Sequence, residues 1–208
     1  MYSELKTTTC RLRLAFIAVV TTGLMAIPAM THAMDWYGGL GYGQSGHEAT
    51  GGDLLGSGFS GSVDGNDSGW KALAGMALWD KYVAAEFGYV NLGKASAKGT
   101  KSGSAVTATS EGKGYTAAIA GLIPFGDRFG LVLKIGAIGA QVFVATTGAT
   151  APTSRHSSDL SPFAGIGVQY DFSKKMGVRF EAERYNMASL GSPYVNLLSA
   201  GLIYRFGK

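Results

Sequence analysis

Large apolar and small or polar residues alternate along most of the chain after residue 35. A period of two is typical of β-strands, whose successive side chains point to opposite faces. No stretch of this part shows the 3.6-residue period of an amphipathic helix. Most of the alternating segments are about ten residues long, the length of a tilted membrane-spanning strand. Eight segments follow the pattern: 36–44, 70–79, 82–92, 114–123, 129–144, 162–172, 176–185 and 195–206.

The two faces of these segments differ in composition. One face carries large apolar and aromatic residues such as Leu40 and Phe87, whereas the other carries glycine and charged residues such as Gly41, Glu86 and Arg179. A water-soluble barrel points its large apolar residues inward and its charges outward. The reverse arrangement indicates a barrel whose outer surface contacts lipid.

Connections between the segments alternate in length. Three are short, at 80–81, 124–128 and 173–175, and four are long and polar, near 45–69, 93–113, 145–161 and 186–194. Outer-membrane barrels have short periplasmic turns and longer external loops. Closure into a ring is also required, because every backbone polar group in hydrocarbon needs an internal partner. The sequence therefore predicts an all-β, eight-stranded antiparallel up-and-down transmembrane β-barrel over residues 34–208, with both termini in the periplasm.

Residues 1–33 have a different character. Basic residues precede an apolar run over residues 14–30, and small residues stand before the bond between Ala33 and Met34. This order is typical of a secretory signal peptide, and we expect cleavage between these two residues. The alternative is an uncleaved membrane helix, for which the apolar run is at the short limit.

The charge and the cysteine content of the chain reduce the number of possible functions. Three of the 18 Lys and Arg residues and one of the 14 acidic residues lie before residue 34, so the exported chain is close to neutral. We therefore expect no nucleic-acid partner. The single cysteine, Cys10, lies in the signal segment, which leaves the exported chain without disulfides or a thiol nucleophile. No cofactor is expected.

The chain contains five segments, in order, that resemble one protein family: DWYGGLGYGQS, GWKALAGMALWDKYVAAEFGYVNLGKA, IPFGDRFGLVLKIGA, SPFAGIGVQYDFSKKMGVRFEAERYN and AGLIYRFG. Together they resemble the OmpA-like transmembrane barrels of Gram-negative outer membranes. The resemblance implies a cell outer-membrane location, contact with outer-membrane lipid and lipopolysaccharide, and insertion by the barrel assembly machinery. Larger members add a peptidoglycan-binding domain after the barrel. This chain stops at Lys208, so we expect it to lack that domain.

The resemblance also implies a charged cluster inside the barrel. The matching residues are Glu86, Lys134, Arg179 and Glu181, and the alternation independently places all four on the face turned away from lipid. An unpaired buried charge costs several kcal/mol, so opposite charges should pair in the lumen. We interpret the cluster as a structural plug. The alternative is a gate or a narrow proton or ion path.

Aromatic residues concentrate near the segment ends, where transmembrane barrels carry aromatic girdles. We predict that Trp36, Trp79, Tyr170 and Phe206 lie near the periplasmic interface, and Tyr42, Tyr89 and Tyr115 near the outer interface. Ordinary β-propensity is the alternative explanation of these positions.

The last segment, 195–206, contains four residues at a spacing that suggests a further role. Ser199, Gly201, Tyr204 and Phe206 resemble the C-terminal signal that the assembly machinery recognises in such barrels. That signal usually ends on the aromatic residue, whereas Gly207 and Lys208 follow it here. We interpret the segment as the closing strand of the barrel and an assembly signal.

Catalytic and ligand-binding motifs have little support. Glycines at 39, 41 and 43 match a dinucleotide fingerprint only superficially, because no helix follows them. His156 beside two serines invites comparison with lipid A deacylases, barrels that use a Ser/His/acid arrangement, but the surrounding TSRHSSD is typical of a loop. His47, Asp53, Asp64 and Asp67 are ordinary turn residues rather than a predicted metal site.

These patterns favour a non-enzymatic, monomeric outer-membrane protein. We expect it to contribute to membrane integrity and to surface contact or adhesion through its external loops, where a host or surface ligand would bind. The alternatives are a narrow porin-like channel and a lipid A-modifying outer-membrane enzyme.

Overall fold

The computed structural model describes residues 35–48, 58–79, 82–101, 103–148, 153–187 and 194–206. Every regular element in these ranges is a β-strand. The nine strands are β1 (Trp36–His47), β2 (Phe59–Asp64), β3 (Asn66–Trp79), β4 (Val83–Lys101), β5 (Ser104–Phe125), β6 (Phe129–Gly148), β7 (Thr153–Asp171), β8 (Met176–Asn186) and β9 (Tyr194–Arg205). Across the described ranges, no helix is long and apolar enough to cross a membrane.

The strands form one closed antiparallel ring. From β3 to β9 each strand pairs with the next, and β1 closes the ring by pairing with both β3 and β9. β2 pairs with residues 96–101 of β4, whereas β3 pairs with residues 83–91 of the same strand. Because only Gly65 separates β2 from β3, the two strands share one position in the ring. The predicted all-β antiparallel barrel is confirmed, with nine strands in eight positions.

The two ends of the barrel differ. β5 is joined to β6 through residues 126–128, and β7 to β8 through residues 172–175. We call the end with these connections, where β1 begins and β9 stops, the turn end. The opposite end is the loop end.

Side chains alternate between the lumen and the outer surface. On β9, Leu198 and Leu202 are exposed, whereas Val195 and Leu197 are buried. Ile135 on β6 is 70% exposed, and the adjacent Lys134 is buried. The apolar side chains thus cover the outside of the ring, as the sequence predicts for a surface in lipid.

At the loop end, four strands continue beyond the ring into segments predicted to be loops. β4 runs to Lys101 and β5 begins at Ser104, so the predicted loop 93–113 is wrong: the segment is a paired hairpin. The predicted loops 45–69 and 145–161 also contain strand, because β2, the start of β3, the end of β6 and the start of β7 lie within them. Only the connection at 186–194 keeps nearly its predicted bounds, and residues 188–193 lie outside the described ranges.

The hairpin forms because its weakly apolar residues share one face. Ala97, Val106 and Ala108 are buried, and Phe59 and Val63 of β2 pack against them. The composition of residues 93–113, with alanine, threonine and glycine between lysines, is typical of a loop. The apolar residues of this segment nevertheless recur with a period of two, and that period favours paired strands. We call the sheet made of β2, 94–101, 104–113, 140–148 and 153–160 the external sheet.

Candidate functional site in the barrel lumen

Six charged side chains meet in the middle of the lumen. They are Lys71 on β3, Glu86 on β4, Lys134 on β6, and Arg179, Glu181 and Glu183 on β8. Each is at most 7% exposed. The alternation along β8 directs three successive odd-numbered residues inward, and the ring brings the other strands to face them. We call these six residues the lumen cluster.

Short ion pairs connect the cluster. Lys134 Nζ lies 2.8 Å from Glu86, 2.7 Å from Glu181 and 3.1 Å from Glu183. Lys71 Nζ lies 2.6 Å from Glu181 and 2.7 Å from Glu183. Arg179 Nη1 lies 2.6 Å from Glu86. Three cations meet three carboxylates, so the buried cluster carries no net charge and each charge has an opposite partner, as burial requires.

Neutral side chains complete the hydrogen bonds. The Tyr37 hydroxyl donates to Glu86 at 2.7 Å, and the Tyr185 hydroxyl donates to Glu183 at 3.0 Å. Arg179 Nε donates to the Gln169 side-chain oxygen at 2.9 Å. Among the described residues, no buried side-chain nitrogen or oxygen lacks a hydrogen-bond partner. The cluster is therefore a fully satisfied polar network, the kind that fixes one arrangement of side chains.

One glycine makes room for this network. Tyr37 on β1 lies over Gly75, its pairing partner on β3, and reaches Glu86 on β4; a Cβ at position 75 would overlap the tyrosine ring. The Arg179 guanidinium carbon lies 5.4 Å from the centre of the same ring, within cation–π range. A small residue at 75 is thus required for Tyr37 to reach Glu86.

An apolar layer lies between the cluster and the loop end. Its buried members are Val90, Leu92, Ile138, Ala140, Val142, Phe163, Tyr185, Met187, Val195 and Leu197. Within it the rings of Phe163 and Tyr185 stack with centroids 4.9 Å apart. The layer closes the lumen with side chains that offer water almost no hydrogen-bonding partner.

A cavity of about 900 Å³ opens at the turn end. Tyr37, Gln169 and Arg179 line its closed side, and Arg205 and Asp171 line its mouth. The Arg205 guanidinium donates to both carboxylate oxygens of Asp171, at 2.9 and 2.8 Å. Solvent from the turn end thus reaches the lumen cluster but meets the apolar layer beyond it.

The structure brings together the four residues that the sequence singles out, Glu86, Lys134, Arg179 and Glu181. Sequence reasoning missed Lys71 as a member of the cluster. Its signal was a single cation inside the apolar stretch WKALAGMALW, on the face opposite Trp70 and Ala72. Glu183 lies two residues after Glu181, so the alternation places it on the same face as Arg179 and Glu181. That pattern was sufficient to predict it as a member of the cluster.

Most of the predicted girdle residues lie on the outer surface. At the loop end, Tyr42 and Tyr115 are exposed, and Trp70, which the sequence prediction omits, pairs with Tyr42 across β1 and β3. The ring of Tyr89 lies 5.5 Å from that of Trp70 and 5.3 Å from that of Tyr115. We call these four residues the loop-end aromatic row.

The turn end carries its own aromatic residues. Trp36 and Phe206 are exposed, and the rings of Phe129 and Tyr170 are 4.9 Å apart. The side chain of Trp79 lies outside the described residues. Two aromatic levels therefore flank the apolar outer band.

The predicted assembly signal lies on the closing strand. Ser199 is buried toward the lumen, as alternation requires, and Gly201 lies beside Gly41 of β1. Tyr204 and Phe206 are exposed on the outer surface with ring centroids 5.1 Å apart. β9 is hydrogen-bonded to β1 on one side and β8 on the other.

The remaining predicted residues are only partly covered by the structure. Ala33, Met34 and Asp53 lie outside the described residues, as does the side chain of His156. Asp64 and Asp67 accept backbone N–H groups of neighbouring residues, which is turn chemistry. Within the described part of the chain, no group of His, Cys, Asp and Glu is arranged to hold a metal ion.

His47 lies five residues beyond Tyr42, outside the membrane-crossing part of β1. Its Nε2 is 2.9 Å from the carbonyl oxygen of Leu92, so the ring donates there and joins β1 to β4. Burial lowers the pKa of His47, although that hydrogen bond and the charge of Asp67 both act to raise it. The His47 side chain therefore has a structural role, which is to join β1 to β4.

A closed antiparallel ring with an apolar outside, two aromatic levels and a charged, filled lumen defines a transmembrane β-barrel of the outer-membrane class. The chain matches the OmpA-like transmembrane domain over residues 31–208, and it belongs to that family. It is accordingly a protein of the bacterial outer membrane.

Known proteins are similar to this chain at two levels. Outer membrane protein A of Serratia marcescens is 28% identical over 185 residues, which cover 83% of this chain and 50% of that protein. The chain thus spans about half the length of this curated relative. Two crystal structures share the fold. OprG of Pseudomonas aeruginosa has a TM-score of 0.56 at 11% identity, covering 85% of this chain and 97% of OprG. Ail, the attachment invasion locus protein of Yersinia pestis, in complex with the heparin analogue sucrose octasulfate, has a TM-score of 0.55 at 15% identity, covering 83% of this chain and 99% of Ail.

Proposed function

We propose that this barrel is a non-enzymatic surface-contact protein, and that its external sheet forms the contact surface while the barrel body contributes to membrane integrity. The observation that carries the proposal is the length of the strands beyond the loop-end aromatic row. β5 continues eleven residues past Tyr115, to Ser104, and it pairs with β4 at each of these positions except Gly112, where the register shifts. At about 3.4 Å per residue, this extension is roughly 37 Å long along the strand. The proposal identifies the loop end with the cell exterior.

The external sheet has a polar outer face suited to such contacts. Exposed or half-exposed residues on that face are Ser96, Lys98, Thr100, Thr107, Thr109 and Thr147. Hydroxyl and ammonium groups recognise polar surfaces such as glycans. Because the strands are paired, these groups are held in place before binding, which reduces the entropic cost of association.

A shortened hairpin tests the proposal. Ala95 and Ser110 are paired, so replacing residues 96–109 by Asn-Gly joins them through a two-residue turn. Bacteria expressing the intact chain should adhere to heparin-coated surfaces or to cultured epithelial cells, and those expressing the shortened chain should not. Equal adhesion by both, with equal amounts of heat-modifiable barrel in the membrane, would refute the external sheet as the contact surface.

The filled lumen supports a plug rather than a pore. Both the lumen cluster and the apolar layer would have to move before ions could pass. We therefore expect no discrete conductance steps when the protein is inserted into planar bilayers.

One observation favours a narrow channel as the second candidate function. The cavity of about 900 Å³ brings solvent from the turn end to Arg179, so half of a path exists. If the intact protein shows discrete conductance steps, and Arg179→Gln changes them, the lumen cluster is a gate rather than a plug. Steps that do not respond to this change would indicate leakage around the barrel.

A non-enzymatic barrel would not modify lipid A. Expression of the chain should leave the mass spectrum of lipid A unchanged. A new lipid A species that disappears with His156→Ala would make the protein an enzyme.

A further inference from the structure

The cavity at the turn end has two chemically different walls. Strands β3 to β6 line it with small apolar side chains, whereas the charged strand residues that line it come from β7, β8 and β9. The apolar wall includes Ala77, Ala84, Ala120, Leu122 and Val132. The charged wall includes Gln169, Asp171, Arg179 and Arg205. A concave space of about 900 Å³ with apolar lining and a few convergent polar groups is typical of a small-molecule site.

Hydrogen bonds connect the residues of the charged wall in a row. Arg179 Nε donates to the Gln169 side-chain oxygen at 2.9 Å, and Gln169 Nε2 donates to Asp171 at 3.0 Å. Arg205 Nη2 donates to both carboxylate oxygens of Asp171, at 2.9 and 2.8 Å. A Cβ at Gly177 would overlap the Asp171 carboxylate, so this glycine leaves the space in which the carboxylate lies. The charged wall is therefore held in place before any ligand binds.

The ion pair between Arg205 and Asp171 is the part of this wall that a ligand can reach. The two side chains are 26% and 30% exposed, whereas Arg179 is buried against Glu86. An ion pair in contact with solvent contributes little to stability. Its two groups can therefore exchange each other for the charged groups of a ligand at small cost.

Charge balance decides which ligand the cavity can accept. The lumen cluster carries no net charge, and Arg205 neutralises Asp171. The residues outside the strands that line the mouth add two cations and two carboxylates: Arg128, Lys174, Asp35 and Asp127. A ligand with a net charge would bring an uncompensated charge into the lumen, which is costly away from bulk water. A zwitterion brings none, because its carboxylate can bind Arg205 while its ammonium group binds Asp171.

We propose that the turn-end cavity binds a free α-amino acid with an aliphatic side chain. Arg205 and Asp171 are in contact, so the two charges of the ligand must also lie close together, as they do on the single α-carbon of an amino acid. The ligand's side chain lies against the apolar wall. The apolar layer closes the lumen beyond the lumen cluster, so the ligand is bound and is not carried across the membrane. This site is additional to the proposed adhesion surface and does not depend on it.

Equilibrium dialysis of radiolabelled leucine against the refolded full chain in detergent micelles tests the proposal, with empty micelles as the blank. Three competitors each lack one feature of leucine: 4-methylpentanoate has no ammonium group, 3-methylbutylamine has no carboxylate, and glycine has no aliphatic side chain. Unlabelled leucine should displace the label at a concentration about tenfold lower than any of the three. A hydrogen bond to a charged group and the burial of an aliphatic side chain each contribute an effect of that order or more.

The double variant Asp171→Asn/Arg205→Gln removes both charges of the mouth pair and keeps the net charge. It should bind leucine about tenfold more weakly than the intact chain. The matched control Glu48→Gln/Arg184→Gln removes an exposed ion pair at the loop end, where the nitrogen–oxygen distance is 3.0 Å, and should leave the affinity unchanged.

A second pair of variants tests the apolar wall. Ala120→Leu narrows the cavity and should weaken leucine binding. Ala117→Leu adds the same atoms on the outer surface, where Ala117 pairs with the exposed Phe87, and should not weaken it. All variants are compared at equal amounts of heat-modifiable barrel, so that misfolded chain is not counted as a loss of binding.

Several outcomes would overturn the inference. One is the absence of leucine binding to the intact chain above the empty-micelle blank. Another is equal displacement of the label by leucine and by 4-methylpentanoate, since the site would then recognise a monoanion. Unchanged leucine binding by Asp171→Asn/Arg205→Gln, or by Ala120→Leu, would mean that leucine binds outside the turn-end cavity.

Discussion

Lys134 contacts all three carboxylates of the lumen cluster, which makes it the residue on which the charge balance depends most. Lys71 contacts two of them and Arg179 principally one at short distance. Replacing a cation by a neutral residue leaves a buried carboxylate without its partner, and this costs more than the ion pair itself contributes.

Lys134→Ala should destabilise the folded barrel by about 3–5 kcal/mol, the cost of leaving buried charges unpaired. Urea unfolding in lipid vesicles, followed by heat-modifiable gel mobility, measures the change. Lys98→Ala on the exposed face of the external sheet serves as the control and should change the midpoint little. A similar loss in both variants would contradict the assignment of Lys134 to a buried network.

Phe180 is 57% exposed on β8, between the two aromatic levels. Phe180→Arg should cost about 2–4 kcal/mol if this face meets the middle of the bilayer. Ser62→Arg on β2, an exposed position of the external sheet, introduces the same side chain outside hydrocarbon and should be nearly neutral. Equal folding yields of the two variants in vesicles would mean that Phe180 does not face lipid.

At the residue scale, alternation alone was sufficient to assign the inward or outward direction of Glu86, Lys134, Arg179 and Glu181. It could not supply their partners. Lys71 and Glu181 are 110 residues apart, and they meet only because of the register around the ring. The role of Tyr37 depends in addition on the space that Gly75 leaves, which no periodicity shows.

At the scale of elements, the hairpin of β4 and β5 shows where composition misleads. Residues 93–113 contain many glycines, serines and lysines, yet they form eight of the pairs that extend the barrel beyond the aromatic row, from Lys94↔Glu111 to Lys101↔Ser104. A period of two persists, but the bulge at Gly93 shifts it by one residue. A constant alternation fitted through the whole strand would therefore assign one half of β4 to the wrong face.

A further prediction concerns β9, the strand that closes the barrel. Tyr204→Ala/Phe206→Ala should reduce insertion into the outer membrane, because the two exposed rings at the end of β9 belong to the proposed assembly signal. Heat-modifiable barrel in the outer-membrane fraction is the readout. Phe125→Ala/Phe129→Ala removes two stacked rings at the same end of the barrel and is the matched control. Equal insertion of both variants would refute recognition of β9.

At the scale of the whole molecule, closure of the ring was predictable because an open edge in hydrocarbon leaves backbone groups without partners. The filled lumen was predictable only in its charged half. The apolar layer comes from residues such as Leu92, Ile138 and Leu197, which sequence patterns alone could equally have placed in contact with lipid.

The continuous pairing of β5 with β6 has a mechanical consequence. Twenty consecutive residue pairs run without a register shift from Phe125↔Phe129 in the barrel to Val106↔Gly148 in the external sheet. Because antiparallel hydrogen bonds lie perpendicular to the strands, a pull along β5 strains many of them in parallel rather than breaking them one after another. A cell held by the external sheet in flowing liquid would pass the drag force directly into the barrel wall, with no flexible linker to yield first.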